Sequence, residues 1–444
     1  TVQLKTRSCI VFGRMRSLEL VLTATIAATS AAADGGANFP HPSGWHTASD
    51  IARVRAFIAS GREPWHTATQ LLLNDTSLKS DYIPEPAAIV CRTISSVPCC
   101  PPNQTTPCNA SGSGGMERDG MASLYLMYRW IATNSSVWAD AAQRVLDAWS
   151  GVLVGFAGHD QMLAIGLYGG HFAQAAELLS YAKRGSLWPL KVRAQRMFLE
   201  VIHPGCDSFC GRSSTGWPMP APQNCVHSAN GNWDAVCMSG VASWAVFLDN
   251  ATMLNTVATY FRKGAGNGRL VNYIIDPQGE CQESGRDQGH TQLGIFNLVQ
   301  AAFTIFHATN STEIFTMEHS RLRAGIEYST AYNLGYHVNY TSNCGDTPGS
   351  LPKPKGAGWC FKTGPSNQSR GEFAPFYELV GGIYGDAVPR VQELLRSHAH
   401  GPGGGVSYRP ESGRGGPIIH GGAHVGDGAP RFGTLMHLGM SPII

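Results

Sequence analysis

The sequence predicts an all-α protein in which antiparallel helix pairs ring a central cleft, the architecture of an α/α toroid or incomplete α/α barrel. The first observation behind this prediction is that apolar residues recur at helical spacing over most of the chain from Met121 onwards. The second is that strand-like alternation is scarce, and the third is that long polar loops separate some helices. No motif repeats at a fixed period, which disfavours a consensus solenoid. An irregular helical domain is the remaining alternative.

The helices follow in chain order. A capping box at residues 47–50 predicts the first helix, which ends near Gly61. A Pro- and Cys-rich insertion spans about residues 84–115, residues 206–230 form a long loop, and residues 401–428 are glycine-rich and irregular. The other predicted helices cover residues 121–133, 137–152, 162–183, 187–202, 233–248, 251–261, 290–307, 320–333, 376–385 and 387–397.

Composition is typical of a compact, soluble protein, with 43% hydrophobic and 14% charged residues among 444. The formal net charge is +2, and residues 1–33 account for +3 of it, which leaves about −1 for the rest. Bulk electrostatics therefore give no support to nucleic-acid binding.

The N-terminus predicts an export signal within a leader at residues 1–33. Met15 and Arg16 begin a short basic region, an apolar stretch covers residues 18–26, and three alanines ending at Ala33 offer a cleavage site. The apolar stretch is too short for a membrane span, so no membrane association is expected of the mature chain. An uncleaved, ordered N-terminus is the alternative. We expect a secreted, monomeric protein with one catalytic domain at residues 34–444, and eight Asn-x-Ser/Thr sequons agree with secretion. The sequons are at Asn74, Asn103, Asn109, Asn134, Asn250, Asn310, Asn339 and Asn367.

The cysteines favour disulfides that staple long loops. Of 12 cysteines, 11 remain without Cys9 of the leader, so one thiol is left free or pairs between chains. Zinc is the competing interpretation, but the spacing matches no familiar zinc signature, and no metal or cofactor is expected. The loop cysteines are Cys91, Cys99, Cys100, Cys108, Cys206, Cys210, Cys225, Cys344 and Cys360.

The most informative segment is residues 282–290, which read Gln-Glu-Ser-Gly-Arg-Asp-Gln-Gly-His. If its second half is helical, Arg286 and His290 project from one face. Arginine can clamp a carboxylate, and histidine can move a proton at neutral pH. A purely structural explanation is equally available, in which Arg286 pairs with Asp287 or Glu283 and His290 caps the next helix.

Two further clusters contain polar groups suited to a carbohydrate site. Asn232 can hydrogen-bond a carboxylate and Trp233 can stack on a sugar, although taken alone the cluster favours Asn232 as the N-cap of a helix that begins at Trp233, with Trp233 in the core. Tyr377 opens a predicted helix and could face a cleft, or it could be a packed aromatic residue.

In this order the clusters resemble the alginate lyase superfamily of helical toroids, most closely the branch grouped as polysaccharide lyase family thirty-eight, which acts on β-linked glucuronans and related polyuronates. The resemblance spans nearly the whole mature chain, and the long central motif is its most specific part. The motifs are His-Pro-Ser-Gly-Trp-His at 41–46, Arg-Glu-Pro-Trp at 62–65, Asn-Gly-Asn-Trp at 230–233, the segment at 282–294, Gly-Ile-Glu-Tyr at 325–328, the Tyr377 cluster and Phe-Gly-Thr-Leu-Met at 432–436.

The resemblance implies β-elimination at a 4-linked uronic acid of an anionic polysaccharide. Asn232 and Arg286 would neutralise the substrate carboxylate, His290 would take or relay the C5 proton, and Tyr377 would protonate the leaving O4. Residues implied in substrate binding are Trp233, Glu283, Gln288, His227 and His171.

The sequence departs from related alginate lyases at two positions. These enzymes have a histidine directly after the carboxylate-binding asparagine and a tyrosine seven residues after the arginine, where this chain has Trp233 and Leu293. His290, His227 or His171 would have to supply the imidazole. Two other functions stay open: a glycoside hydrolase using Asp234 and Glu283, and a secreted carbohydrate-binding protein without activity.

Overall fold

The computed structural model describes residues 39–92, 110–158, 160–184, 187–207, 231–264, 266–341, 362–399 and 430–444. Residues 37–444 form one compact unit. Its described part is mostly helical, which confirms the all-α prediction. The helices are α1 (Ala48–Ala59), α2 (Trp65–Asn74), α3 (Ser113–Thr133), α4 (Ser136–Val152), α5 (Gln161–Leu163), α6 (Gly169–Ala182), α7 (Lys191–Arg196), α8 (His203–Asp207), α9 (Gly231–Phe247), α10 (Ala251–Lys263), α11 (Leu270–Tyr273), α12 (Gln288–Thr309), α13 (Glu313–Asn333), α14 (Tyr377–Tyr384), α15 (Pro389–Ala399) and α16 (Gly433–His437). The strands are β1 (Ile89–Cys91), β2 (Ala110–Gly112) and β3 (Gly155–Ala157).

Four long helices form the inner wall of the fold. Helix α3 packs on α6, α6 on α9, and α9 on α12, while α4, α10 and α13 each return along the outside of the inner helix that precedes them. Because each return passes through a short turn, the inner helices run in the same direction, and their N-termini meet at one rim. Helices α13 to α16 and then α1 continue the ring back to α3. This is the paired-helix arrangement predicted for an α/α toroid.

The inner helices are buried on nearly every face. In α9 all residues except Trp233 are buried, and α12 is buried along most of its length. A helix enclosed on all sides needs no polar stripe, which explains why apolar residues occur on every face of these helices. Outer helices such as α10 bury one face only.

Helix boundaries agree with the sequence where caps or stripes define them. Thr47 caps α1 through a reciprocal capping box with Asp50, as predicted. Helix α3 begins eight residues before the predicted start. The apolar pattern missed this part of the helix because its first turn is glycine-rich. Residues Ala164–Tyr168 and Met197–Ile202 are π-helical, and α13 is kinked at residues 317–320. The predicted loops at 206–230 and 401–428 lie almost entirely outside the described residues.

The insertion contributes strands β1 and β2, which form a small parallel sheet with β3 in the order β2-β1-β3. The disulfide predicted for Cys206 links it to Cys237, within helix α9 rather than in a loop. Cys91 is also disulfide-bonded, whereas Cys281 is a buried free thiol. In the described part of the chain, no helix is long and apolar enough to span a bilayer, and no cluster of potential ligands is suited to a metal ion.

The opposite end of the ring, where the inner helices terminate, contains a group of buried histidines. His46 stacks on His437 with ring centroids 5.4 Å apart, and its Nε2 lies 3.0 Å from the hydroxyl of Tyr128. Nδ1 of His307 lies 2.8 Å from the carbonyl oxygen of Gly44. Burial lowers the pKa of His46 to about 3 and also lowers the pKa values of His307 and His437, so all three rings are neutral near pH 7.

Candidate active site

The N-terminus of α9 is capped by two consecutive side chains from the loop before α12. The backbone N–H of Gly231 donates to Oε1 of Gln282 at 3.2 Å, and that of Asn232 donates to Oε2 of Glu283 at 3.1 Å. The first N–H groups of a helix have no partner within the helix and favour a negative charge. The helix begins at Gly231, so the interpretation of Asn232 as an N-cap was wrong.

Glu283 joins the asparagine to the arginine. Nδ2 of Asn232 lies 2.8 Å from both carboxylate oxygens of Glu283, and Nη1 of Arg286 donates to Oε1 at 2.8 Å. Glu283 is completely buried, whereas the side chain of Arg286 is 23% exposed. The carboxylate therefore fixes both groups and leaves part of the guanidinium at the surface.

His290 is positioned by a second carboxylate. Asp287 is the N-cap of α12, where its Oδ1 accepts from the backbone N–H of His290 at 2.8 Å, and its Oδ2 lies 2.6 Å from Nδ1 of the ring. Burial raises the pKa of Asp287, but the hydrogen bonds from His290 outweigh it and the net shift is downward. An ionised Asp287 accepts a hydrogen bond from Nδ1–H, so in the neutral ring Nε2 is the basic nitrogen.

Arg286 precedes the N-cap of α12 and lies in a turn closed by its N–H to the carbonyl oxygen of Glu283. The prediction that Arg286 and His290 share one helical face was therefore wrong. They are held by adjacent acids instead, and Nε of Arg286 lies 3.9 Å from Oδ2 of Asp287.

Tyr273 fills the space behind this cluster. Its hydroxyl lies 3.1 Å from the carbonyl oxygen of His290 and 3.4 Å from Oε2 of Glu283. A Cβ atom on Gly231 or on Gly294 would overlap the Tyr273 ring. Gly231 in the first turn of α9 and Gly294 in the second turn of α12 thus let both helices approach one aromatic ring.

Three of the other predicted site residues lie in the packed interior. Tyr377 is 1% exposed and its hydroxyl donates to Oε1 of Gln292 at 3.0 Å. Gln288 is 1% exposed and donates to the carbonyl oxygen of Ser366 at 3.1 Å, which ties the start of α12 to a neighbouring segment. His171 is 1% exposed and packs edge-on against Trp45.

Of the two remaining predicted site residues, the structure describes only Trp233. Trp233 is half-buried against the core, and its stacking on a sugar stays a prediction. His227 lies outside the described residues.

Sequence reasoning gave two important residues too little weight. Asp287 was considered only as a partner for Arg286, although an acid three residues before His290 at a helix start is a capping signal. Tyr273 has no local signal, because its role depends on glycines in other elements.

A third cluster was missed, and it lies on the same rim, where α3 and α6 begin. Nη1 of Arg92 donates to the hydroxyl of Tyr168 at 2.7 Å, and this hydroxyl lies 3.1 Å from Oε2 of Glu117. Tyr168 belongs to the π-helical segment, a type of irregularity found frequently at functional sites.

The arrangement brings together a fixed cation, an oriented imidazole and an amide at the N-termini of two neighbouring helices. Oδ1 of Asn232 is buried and accepts no hydrogen bond from the described residues, so a bound O–H or N–H group would satisfy it. Arg286 can attract an anion, and Nε2 of His290 can accept a proton. The cluster is therefore chemically suited to proton transfer beside an anionic group.

Comparison with known proteins gives limited similarity. No family model matches the chain, and no curated protein matches it significantly. Among solved structures, an alginate lyase from Bacteroides ovatus is 13% identical with a TM-score of 0.47, over 66% of this chain and 83% of that one. A histidine-to-alanine variant of alginate lyase A1-III in its apo form is also 13% identical with a TM-score of 0.47, over 87% of this chain and 94% of that one. At these values the similarities carry no argument about activity.

Proposed function

We propose that the protein is a secreted polysaccharide lyase that cleaves 4-linked polyuronates, such as glucuronan or an alginate-like polymer, by β-elimination. The observation that carries the proposal is that Asn232 and Arg286 converge on Glu283 while His290 is held by the adjacent Asp287. A carbohydrate-binding protein without activity would not need an oriented imidazole beside this cation. The mature enzyme is proposed to comprise residues 34–444, after removal of the leader.

The first requirement of the reaction is neutralisation of the substrate carboxylate. The C5 proton of a uronate is weakly acidic because the adjacent carboxylate already carries negative charge, so the transition state develops a second negative charge. Arg286 would stabilise this charge from a fixed position, since Glu283 holds it before substrate binds. Asn232 would not carry part of this charge, because its Nδ2 is bound to Glu283; its buried Oδ1 would instead orient the sugar by accepting a hydrogen bond from a substrate O–H group.

The second requirement is proton transfer. Nε2 of His290 would accept the C5 proton, and the resulting imidazolium would be stabilised by Asp287. The electrons of the C5–H bond then form the C4=C5 double bond, and the C4–O4 bond breaks with protonation of O4. Tyr377 remains the proposed acid from family resemblance, although its buried hydroxyl would first have to leave Gln292.

The geometry disfavours the glycoside hydrolase. Asp234 and Glu283 would have to face the cleft, yet both are completely buried. Asp234 accepts hydrogen bonds from the hydroxyl of Tyr260 at 2.7 Å and from the N–H of Gly268 at 2.8 Å. Both carboxylates thus accept hydrogen bonds from groups within the fold.

The proposal is tested by incubating the purified protein with glucuronan, mannuronan and guluronan and following near-ultraviolet absorbance of the unsaturated product. Activity on at least one polymer is expected, and no absorbance change with any of them would refute the lyase. Arg286→Ala should abolish turnover. Arg390→Ala is the matched control, because it removes an Arg–Glu pair of the same 2.8 Å length and the same three-residue spacing on α15. Equal activity of the two variants would contradict the role of Arg286.

A further inference from the structure

Two turns between inner and outer helices have nearly the same sequence and the same geometry. Residues 132–136 read Ala-Thr-Asn-Ser-Ser and join α3 to α4, and residues 308–312 read Ala-Thr-Asn-Ser-Thr and join α12 to α13. Asn134 has φ 54° and ψ 17°, and Asn310 has φ 55° and ψ 22°. Two helices of the chain thus end in pentapeptides that differ only in their last residue, serine in one and threonine in the other.

The hydrogen bonds of the two turns also correspond. The N–H of Asn134 donates to the carbonyl oxygen of Trp130 at 2.8 Å, and that of Asn310 donates to Phe306 at 2.6 Å. Thr133 and Thr309 precede the two asparagines. Each threonine hydroxyl donates a hydrogen bond of 2.7 Å to the carbonyl oxygen four residues earlier and accepts one of 3.3 Å from the N–H of the serine two residues later.

Helix termination explains the asparagine but not the residue two positions later. Asparagine tolerates the left-handed conformation that ends a helix. Ser136 is the first residue of α4 and Thr312 the N-cap of α13, yet neither hydroxyl makes a capping hydrogen bond. Both hydroxyls are exposed, and each completes an Asn-x-Ser/Thr sequon.

The location of the turns suits a bulky modification. Both asparagines are exposed and lie at the C-terminal ends of inner helices, on the face opposite the rim that holds Arg286. Other sequons have side chains engaged in the fold: Oδ1 of Asn250 accepts from the N–H of Met253 at 2.9 Å, and Oδ1 of Asn367 accepts from the hydroxyl of Tyr332 at 2.7 Å.

We propose that Asn134 and Asn310 are N-glycosylation sites, which place two glycans on the face of the ring opposite the rim that holds Arg286. The donor is a lipid-linked oligosaccharide pyrophosphate used by a membrane transferase of the secretory pathway. The side-chain Nδ2 loses one proton and bonds to C1 of the oligosaccharide, while the bond between C1 and the pyrophosphate oxygen breaks. The lipid pyrophosphate leaves with the electron pair. The proposal is independent of the lyase activity.

The test expresses residues 34–444 behind a host signal peptide in a eukaryotic secretory cell, so that the outcome does not depend on the natural leader. The secreted protein is treated with peptide-N-glycosidase in ¹⁸O-water, which converts a glycosylated asparagine to ¹⁸O-labelled aspartate, and its peptides are analysed by mass spectrometry. Label is expected at both Asn134 and Asn310. Secreted protein with unlabelled asparagine at both positions would overturn the proposal.

Two variants separate glycosylation from turn structure. Ser136→Ala should remove the glycan from Asn134 alone, and Thr312→Ala should remove it from Asn310 alone. Since neither hydroxyl makes a capping bond, each variant should keep the Tm of the enzymatically deglycosylated parent. Persistence of label at Asn134 in Ser136→Ala, or at Asn310 in Thr312→Ala, would contradict recognition through the sequon.

Discussion

The carboxylate of Glu283 accepts hydrogen bonds from both the backbone N–H and the side-chain amide of Asn232, at 3.1 and 2.8 Å. The same carboxylate binds Arg286, so one buried acid satisfies a helix N-terminus, orients an amide and holds a cation. Glu283 therefore acts as a positioning residue for Asn232 and for Arg286, the cation proposed to neutralise the substrate carboxylate.

Replacing Glu283 with glutamine tests this role. An amide of the same shape places N–H donors against the existing donors and removes the buried charge that pairs with Arg286, so we expect a loss on the order of 3 kcal/mol in the free energy of unfolding. Turnover should fall as well. The measurements are denaturant unfolding and initial rates.

Glu393→Gln is the control for this substitution. Glu393 pairs with Arg390 at 2.8 Å on the surface of α15, and such an exposed pair contributes little to stability. If the two variants lose the same stability, the buried network around Glu283 has no special importance.

Asp287→Asn separates helix capping from orientation of the histidine. Asparagine caps helices as well as aspartate does, so α12 should keep its stability. The amide lacks the charge that stabilises an imidazolium at His290, and we expect kcat to fall about 10²-fold or more. Steady-state kinetics and thermal unfolding on one preparation distinguish the two effects. An unchanged kcat would remove His290 from the proposed mechanism.

Tyr377→Phe decides whether this tyrosine is the acid. The hydroxyl donates to Gln292 in the interior, so its loss should cost about 1 kcal/mol of stability in either case. A catalytic acid would in addition lower kcat by about 10²- to 10⁴-fold. Turnover that changes less than about threefold would identify Tyr377 as a packed core residue and require another acid.

Stability should fall on both sides of about pH 6.5. The pKa values of His46, His307 and His437 are lowered by burial, so below their ordinary value of 6.5 the unfolded chain binds protons that the folded chain excludes. Each such group removes up to about 1.4 kcal/mol per pH unit.

Above pH 6.5 the relevant pKa shift has the opposite sign, because it is a raised rather than a lowered histidine pKa. A hydrogen bond to Glu177 is the largest cause that raises the pKa of His41 to about 9, so its stabilisation is complete below pH 6.5 and is lost as the pH rises through 9. Thermal unfolding from pH 4 to pH 10 measures both limbs. His46→Gln should reduce the acid slope without altering the alkaline limb, and an unchanged acid slope would contradict the assignment.

Gly294→Ala should disrupt the site through its packing. The new methyl group would overlap the ring of Tyr273, and overpacking of this kind costs about 1–3 kcal/mol. Gly170→Ala in α6 is the matched control: its Cβ would meet nothing closer than 3.9 Å, and alanine favours a helix by about 1 kcal/mol. Equal unfolding midpoints for the two variants would show that the ring of Tyr273 does not need the absence of a side chain at Gly294.

Local patterns predicted much of the fold. The capping box of Thr47 and Asp50 placed α1, and the apolar stripe at residues 137–152 placed α4 to within one residue. Both signals depend on residues within a few positions of each other. The kink in α13, the π-helical segments and the Cys206–Cys237 pairing lack such local signals, because contacts with other elements decide them.

For the candidate site, the sequence by itself identified the residue types and the two segments that carry them, since Asn232, Arg286 and His290 stand out chemically. Only the tertiary structure decided their partners. Glu283, for which the resemblance implies substrate binding, accepts hydrogen bonds from Asn232 and Arg286. Tyr377 and Gln288 are equally buried. The physical reason is that burial and hydrogen bonding depend on how α9, α11 and α12 meet at the rim, and residues distant in the chain determine that geometry.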